Sequence, residues 1–194
     1  MKRLCVFCGS SPGNSPAYSA ASAELGRQLA QRKIGLVYGG SNVGLMGTLA
    51  DAALNGGGQV IGVIPRSLVD REVAHRGLTE LHVVETMHER KALMADLSDG
   101  FIAMPGGYGT LDELCEILTW AQLGIHLKPV ALLNTLGYWD PFLQFLDHAV
   151  AAGFLRSGHR LLLNVRDDPG ELLEAILRYK GESQVSKWIE REIR

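Results

Sequence analysis

The chain has 194 residues, 46% of them hydrophobic and 21% charged, with a formal net charge of −2. This is the make-up of one globular domain able to bury a sizeable core. Without a basic run it does not suit a nucleic acid held by many phosphate contacts. No apolar run reaches the roughly 20 residues that cross a bilayer, so neither nucleic acid nor membrane is expected as a partner.

The first apolar stretch, Leu4-Cys5-Val6-Phe7-Cys8, follows Lys2 and Arg3 but is too short for a signal peptide and runs into a Gly/Ser/Pro loop. It reads as a first strand, and the expected location is the cytosol. Cys5 and Cys8 form a C-x-x-C, yet residues three apart on a strand point to opposite faces. Three cysteines make no disulfide framework, and small buried residues near a site are expected here.

Strand-like runs follow at 34–38, 59–64, 81–85, 100–104, 129–133 and 160–165, after the first at 3–8. Helical patterns lie near 16–32, 43–55, 88–98, 110–123, 138–152 and 169–179. This alternation is the rhythm of βαβ units, and the strand runs are almost continuously apolar, as when helices cover both faces of a parallel sheet. The expectation is an α/β fold with a mostly parallel sheet of about seven strands in one domain, without linker or repeat. Segment 66–80 fits neither pattern and reads as a loop or short helix. The tail Ser186–Ile193 reads as an amphipathic terminal helix.

Three strands end in Gly-rich turns: Gly9-Ser10-Ser11-Pro12-Gly13, Gly39-Gly40-Ser41-Asn42-Val43-Gly44 and Pro105-Gly106-Gly107-Tyr108-Gly109-Thr110. In open α/β sheets, ligands bind outside the carboxyl ends of the strands. A helix that follows such a turn aims free N–H groups and the positive end of its dipole at an anion. Neither a G-x-G-x-x-G after the first strand nor a G-x-x-x-x-G-K-[ST] is present.

Thr110 and Glu113 have the spacing of a capping box, in which Glu113 would bond back to the helix start. The alternative places the Glu113 carboxylate beside a bound sugar, one helical turn from its phosphate. Thr86 and Glu89 form a second such box, with Arg90 and Lys91 just inside the helix. Cations there oppose the helix dipole, so Arg90 needs an anionic partner or points into water. Lys91 can equally belong to a solvated face.

Pro105-Gly106-Gly107-Tyr108-Gly109-Thr110-Leu111-Asp112-Glu113 matches PGGxGTxxE. With Met87-His88-Glu89-Arg90-Lys91 upstream, the chain resembles the LOG ("lonely guy") family of cytokinin riboside 5′-monophosphate phosphoribohydrolases, formerly labelled lysine decarboxylases. The resemblance extends from the first Gly-Ser turn through Tyr38-Gly39-Gly40, Gly44-Leu45-Met46-Gly47 and Thr119–His126 to Gly153-Phe154. It implies a Rossmann-like fold, a homodimer, and a nucleoside 5′-monophosphate such as AMP or N6-prenylated AMP as substrate. Arg90 and Glu113 take the catalytic positions, and Gly106, Gly107, Gly109 and Thr110 the phosphate loop. Ser10, Gly40 and Lys91 would line the same pocket, and Glu72 matches a glutamate on the base side. Ser41 departs from the pattern, standing where the family often has a third glycine.

No Cys/His/Asp cluster has metal-ligand spacing, so neither metal nor cofactor is expected. Two other readings compete. A nucleotide or cofactor carrier of this fold would share the Gly turns without needing both Arg90 and Glu113. A pyridoxal-phosphate decarboxylase would need a Schiff-base lysine, for which Lys91 is the one attractive candidate. Met94 and Trp120 sit at helical spacing that reads as core, with an apolar wall for an N6 substituent as the alternative.

Overall fold

A computed structural model describes residues 1–69 and 74–181. Glu72 and the tail 186–193 lie outside the described residues.

The strands are β1 (Arg3–Phe7), β2 (Gly35–Tyr38), β3 (Val60–Pro65), β4 (Glu80–Val84), β5 (Phe101–Ala103), β6 (Val130–Leu133) and β7 (Leu163–Arg166). They form one seven-stranded sheet in the order β4-β3-β2-β1-β5-β6-β7, parallel at every pairing. The α-helices among the described residues are α1 (Pro16–Gln31), α2 (Gly44–Asn55), α3 (Arg66–Val69), α4 (Met87–Asp96), α5 (Tyr108–Gln122), α6 (Asp140–Ala151), α7 (Ser157–Arg160) and α8 (Pro169–Arg178), with a 3-10 turn at Thr135–Gly137.

Side-chain alternation along the strands divides the core into two layers. Leu4, Val6 and Cys8 pack with Leu25 and Leu29 of α1, Leu49 of α2 and Leu172 of α8. Cys5 and Phe7 face the other way, toward Met94 of α4, Leu114 of α5 and Trp139. The C-x-x-C pair is therefore split across the sheet, and burial raises both thiols, reinforced by the nearby Glu113 charge and only partly opposed by Arg90. They are protonated packing groups rather than nucleophiles.

The strands and helices predicted within the described residues are all present, with two differences. Segment 66–80 holds the short α3 and, at Ala74, an isolated antiparallel bridge to Ser41. The last strand starts at Leu163 rather than near residue 160, because α7 occupies Ser157–Arg160. Leu161 belongs to the apolar run by sequence but is exposed, outside the strand pairing.

The winding reverses between β1 and β5, neighbours that lead away in opposite directions along the sheet. A crevice forms where adjacent βα loops diverge in this way. The two loops are tied at their base, since the Gly9 N–H donates to the Pro105 carbonyl at 3.0 Å.

Candidate functional site

At this reversal lies a cavity of about 200 Å³, walled by Cys8, Gly9, Ser10, Gly39, Met46, Arg90, Met94, the stretch Gly107–Thr110, and Glu113. Its walls come from the ends of β1 and β2 and from α2, α4 and α5.

Helix α5 begins two residues before Thr110. Gly107 is its N-cap, in extended conformation and without a side-chain cap. Thr110 and Glu113 are thus interior helical residues, both buried, and the capping-box reading of this pair does not hold. A glycine N-cap leaves the first-turn N–H groups of α5 without a side-chain acceptor, next to the cavity. It also leaves Glu113 on the helix face that turns inward.

Helix α4 has the expected cap: the Glu89 N–H donates to Thr86 Oγ1 at 3.1 Å. The Glu89 carboxylate reaches one residue further back than in the usual box and accepts from the Glu85 N–H at 2.9 Å. Arg90, one position on, points inward and is 7% exposed. Its Nη2 lies 3.8 Å from Glu113 Oε1, its Nη1 lies 3.8 Å from Met87 Sδ, and its buried Nε has no hydrogen-bond partner among the described residues. The pair is too far apart for a bidentate bridge, so guanidinium donors are left for a further acceptor.

Gly39 makes room for this arginine. A Cβ built there would lie 2.1 Å from Arg90 Nη2, so a side chain would displace the guanidinium. The structure brings Gly39 rather than Gly40 to the cavity wall. Gly40 instead faces Ile64, Val63 and Leu81. Gly39 could have been found in the sequence, since it stands in the Tyr-Gly-Gly turn; which of two successive glycines faces the site needs the strand's register. Ser41 is fully buried, and its Oγ accepts from the Val43 N–H at 3.4 Å.

Lys91 also sits away from the cavity wall. Its Nζ lies 3.1 Å from Asp112 and 3.2 Å from Glu116, bridging α4 to α5. Burial pulls its pKa down, but hydrogen bonds to Asp112 and Glu116, with their charges, outweigh this and leave it raised. Its contribution to stability is therefore full below the ordinary lysine value of 10.5 and lost as pH rises beyond it. Because Asp112 is well exposed, solvent screens the bridge to about 1 kcal/mol. Lys91→Met is expected to lower Tm at neutral pH by roughly 2–4 °C; an unchanged melting curve would show that the bridge contributes nothing.

Of the remaining sequence candidates, Ser10, Gly107, Gly109 and Thr110 line the cavity, and Gly106 stands just behind it in an adjoining hollow of about 360 Å³. Met94 is on the cavity wall, whereas Trp120 is not. Among the described residues, no group of three His, Cys, Asp or Glu side chains is placed to hold a metal ion, and no helix is long and apolar enough to cross a membrane.

Comparison with known proteins connects this geometry to a family. Residues 46–176 match the sequence model described as "Possible lysine decarboxylase". The chain is 52% identical to the probable cytokinin riboside 5′-monophosphate phosphoribohydrolase LOGL2 of Oryza sativa subsp. japonica, over 96% of this chain and 77% of that protein. It is also 52% identical to cytokinin riboside 5′-monophosphate phosphoribohydrolase LOG1 of Arabidopsis thaliana, over 92% of this chain and 84% of that one. Among solved structures, the molybdenum cofactor carrier protein of Chlamydomonas reinhardtii superposes with a TM-score of 0.68 at 25% identity, covering 91% of this chain and 96% of that one. The carrier has the same architecture, but identity of about one half along nearly the whole length is found with the phosphoribohydrolases, and the chain belongs to their family, the LOG family.

Proposed function

We infer that this protein is a phosphoribohydrolase, cleaving the N-glycosidic bond of a nucleoside 5′-monophosphate to free base and ribose 5-phosphate. Its relatives are named for cytokinin riboside 5′-monophosphate, and AMP or N6-prenylated AMP is the proposed substrate. The observation that carries this reading is the buried pair of Arg90 on α4 and Glu113 in the second turn of α5. A carrier needs a cradle for its ligand, but gains nothing from a buried carboxylate at the reacting end.

In the proposed mechanism the first-turn N–H groups of α5, with Thr110, hold the 5′-phosphate. Binding energy gained at this remote group orients the bond to be broken. Glu113, one helical turn further on, faces the ribose. As the bond between C1′ and the base nitrogen lengthens, its electron pair leaves with the base and positive charge develops on the sugar. The carboxylate stabilises that charge and takes a proton from the water that adds to C1′. The departing base gains one proton from solvent and Glu113 gives its proton back to solvent, so that water's OH ends on C1′ and one H on the base. Arg90 supplies donors to a phosphate or ribose oxygen and faces the Glu113 carboxylate at 3.8 Å, helping to hold it in place.

The decarboxylase description of the family model finds no support in the position of Lys91. A Schiff-base lysine must lose its proton readily, and two carboxylates hold this one protonated.

Product chromatography from AMP, isopentenyl-AMP, GMP and adenosine tests the function. Free base and ribose 5-phosphate are expected from the adenine monophosphates, with adenosine far slower. Binding without any release of base would make the protein a carrier.

The free thiols Cys5, Cys8 and Cys115 suit the reducing cytosol, a location that cell fractionation would test. A homodimer is proposed as the working form, supported by exposed apolar side chains at Leu123, Ile125, Leu127, Phe145 and Phe154. Sedimentation at micromolar concentration should give twice the chain mass; a monomer at that concentration would rule it out.

A further inference from the structure

The phosphate loop carries two successive glycines, and Gly106 cannot be replaced by a stiffer residue. A Cβ there would lie 2.1 Å from Thr110 Oγ1 and 2.9 Å from the Gly9 nitrogen. The Gly106–Gly107 peptide is therefore flanked by glycine on both sides, and its orientation has to be held from outside.

Tyr138 supplies such a hold. Its hydroxyl donates to the Gly106 carbonyl at 2.5 Å, across 32 residues of sequence. The turn that brings it there is costly. Leu136 adopts φ +56° although it is neither glycine nor asparagine, and Gly137 follows at φ +70°. Leu136 is itself exposed, so its left-handed backbone is not compensated by burial of its side chain.

Tight contacts on either side hold the turn. The Trp139 N–H donates to Asn134 Oδ1 at 2.7 Å, Asn134 Nδ2 donates to Asp140 at 2.8 Å, and the Trp139 ring is buried in the core. The Tyr138 ring is set edge-on to Tyr18 and to Trp139, with centroids 6.1 Å and 5.1 Å away. Tyr138 remains 40% exposed, so core packing does not account for the arrangement. What the turn delivers is a hydroxyl at one carbonyl.

That carbonyl and the Gly107 N–H are the two ends of a single resonant peptide group. A donor on the oxygen draws electron density through the peptide and makes its N–H a stronger donor, a cooperative gain on the order of 10–30% per bond. Gly107 lies on the wall of the cavity that holds Arg90 and Glu113. We propose that Tyr138 is a positioning residue of the phosphate site: its hydroxyl fixes the Gly106–Gly107 peptide plane and polarises it, so that the Gly107 N–H is aimed and strengthened as a donor to the substrate's phosphate. This rests on the reading of the loop as the phosphate grip.

The test is Tyr138→Phe in the full chain, which removes one hydroxyl and keeps the ring contacts. Loss of one such hydrogen bond should weaken ribose 5-phosphate binding about three- to tenfold. The KM for AMP should rise by a similar factor with kcat little changed, and adenosine, which lacks the phosphate, should bind as before. In ¹⁵N–¹H spectra the Gly107 amide proton should move upfield, and its downfield shift on adding ribose 5-phosphate should shrink. Equal weakening for ribose 5-phosphate and adenosine would make Tyr138 merely structural, and no weakening of either would remove it from the site; both outcomes overturn the proposal. If ribose 5-phosphate leaves the Gly107–Thr110 amides of the wild-type protein unmoved, the phosphate grip itself is wrong, whatever the variant does.

Discussion

Glu113→Gln should reduce hydrolysis of AMP by about a thousandfold while leaving AMP binding within a few-fold of wild type. The substitution keeps the size and shape of the side chain and removes its negative charge and its basicity. Glu113 projects from the inner face of α5 into the cavity and is 7% exposed, so bulk water cannot replace its field at the sugar. The phosphate contacts proposed for the first turn of α5 are one turn away and should survive, which makes the variant a tight-binding, inactive protein. Measuring kcat by product chromatography and binding by calorimetry separates the two effects. Wild-type turnover in this variant would remove Glu113 from the mechanism.

Arg90→Ala is expected to be as damaging to kcat/KM and also to destabilise the fold. The side chains of Arg90 and Glu113 are only 8% and 9% exposed. Deleting the guanidinium leaves a buried carboxylate without its facing cation. Breaking such a pair from one side costs several kcal/mol, and at a separation of 3.8 Å the lower end, about 3 kcal/mol, applies. For a chain of this size that is roughly 6–12 °C in Tm. The same loss leaves Glu113 repelling the incoming phosphate. Arg90→Lys separates the two roles: it retains the charge, and with it most of the stability, but lacks the planar fork and should remain far below wild-type turnover. Near-normal kcat/KM in Arg90→Ala would show that the guanidinium is not part of the reaction.

The two largest expected effects thus fall on residues that could be singled out by chemical type and motif, but not by environment. The Thr110-x-x-Glu113 spacing points more readily to an ordinary helix cap than to a site. Whether Glu113 caps or faces the cavity depends on where α5 starts, and it starts at Tyr108 because Gly107 can serve as an extended N-cap. Lys91 shows the opposite case. By sequence it is a second cation beside Arg90, suited to the pocket, yet successive helical residues point about 100° apart, and its ammonium is held between Asp112 and Glu116 on the outer side.

Tyr138 carries no sequence signal at all. It is an aromatic residue next to a tryptophan in a short stretch of turn residues, and its partner carbonyl is 32 positions away. Backbone carbonyls look alike in any sequence, so a contact made through one is visible only once the chain is folded.

The order of strands and helices, the two-sided burial of the sheet and the three Gly-rich turns at strand ends were all determined by the sequence, because hydrophobic period and backbone freedom are local properties. The family was likewise legible in the two motifs around Arg90 and Glu113. The tertiary structure decided which of those residues meet. It set β1 beside β5 so that their loops open a crevice, selected Gly39 over Gly40, turned Lys91 away from the cavity, and placed the Tyr138 hydroxyl against the Gly106 carbonyl. Each of these depends on strand order or on contacts between segments far apart in the chain, and local pattern carries no information about either.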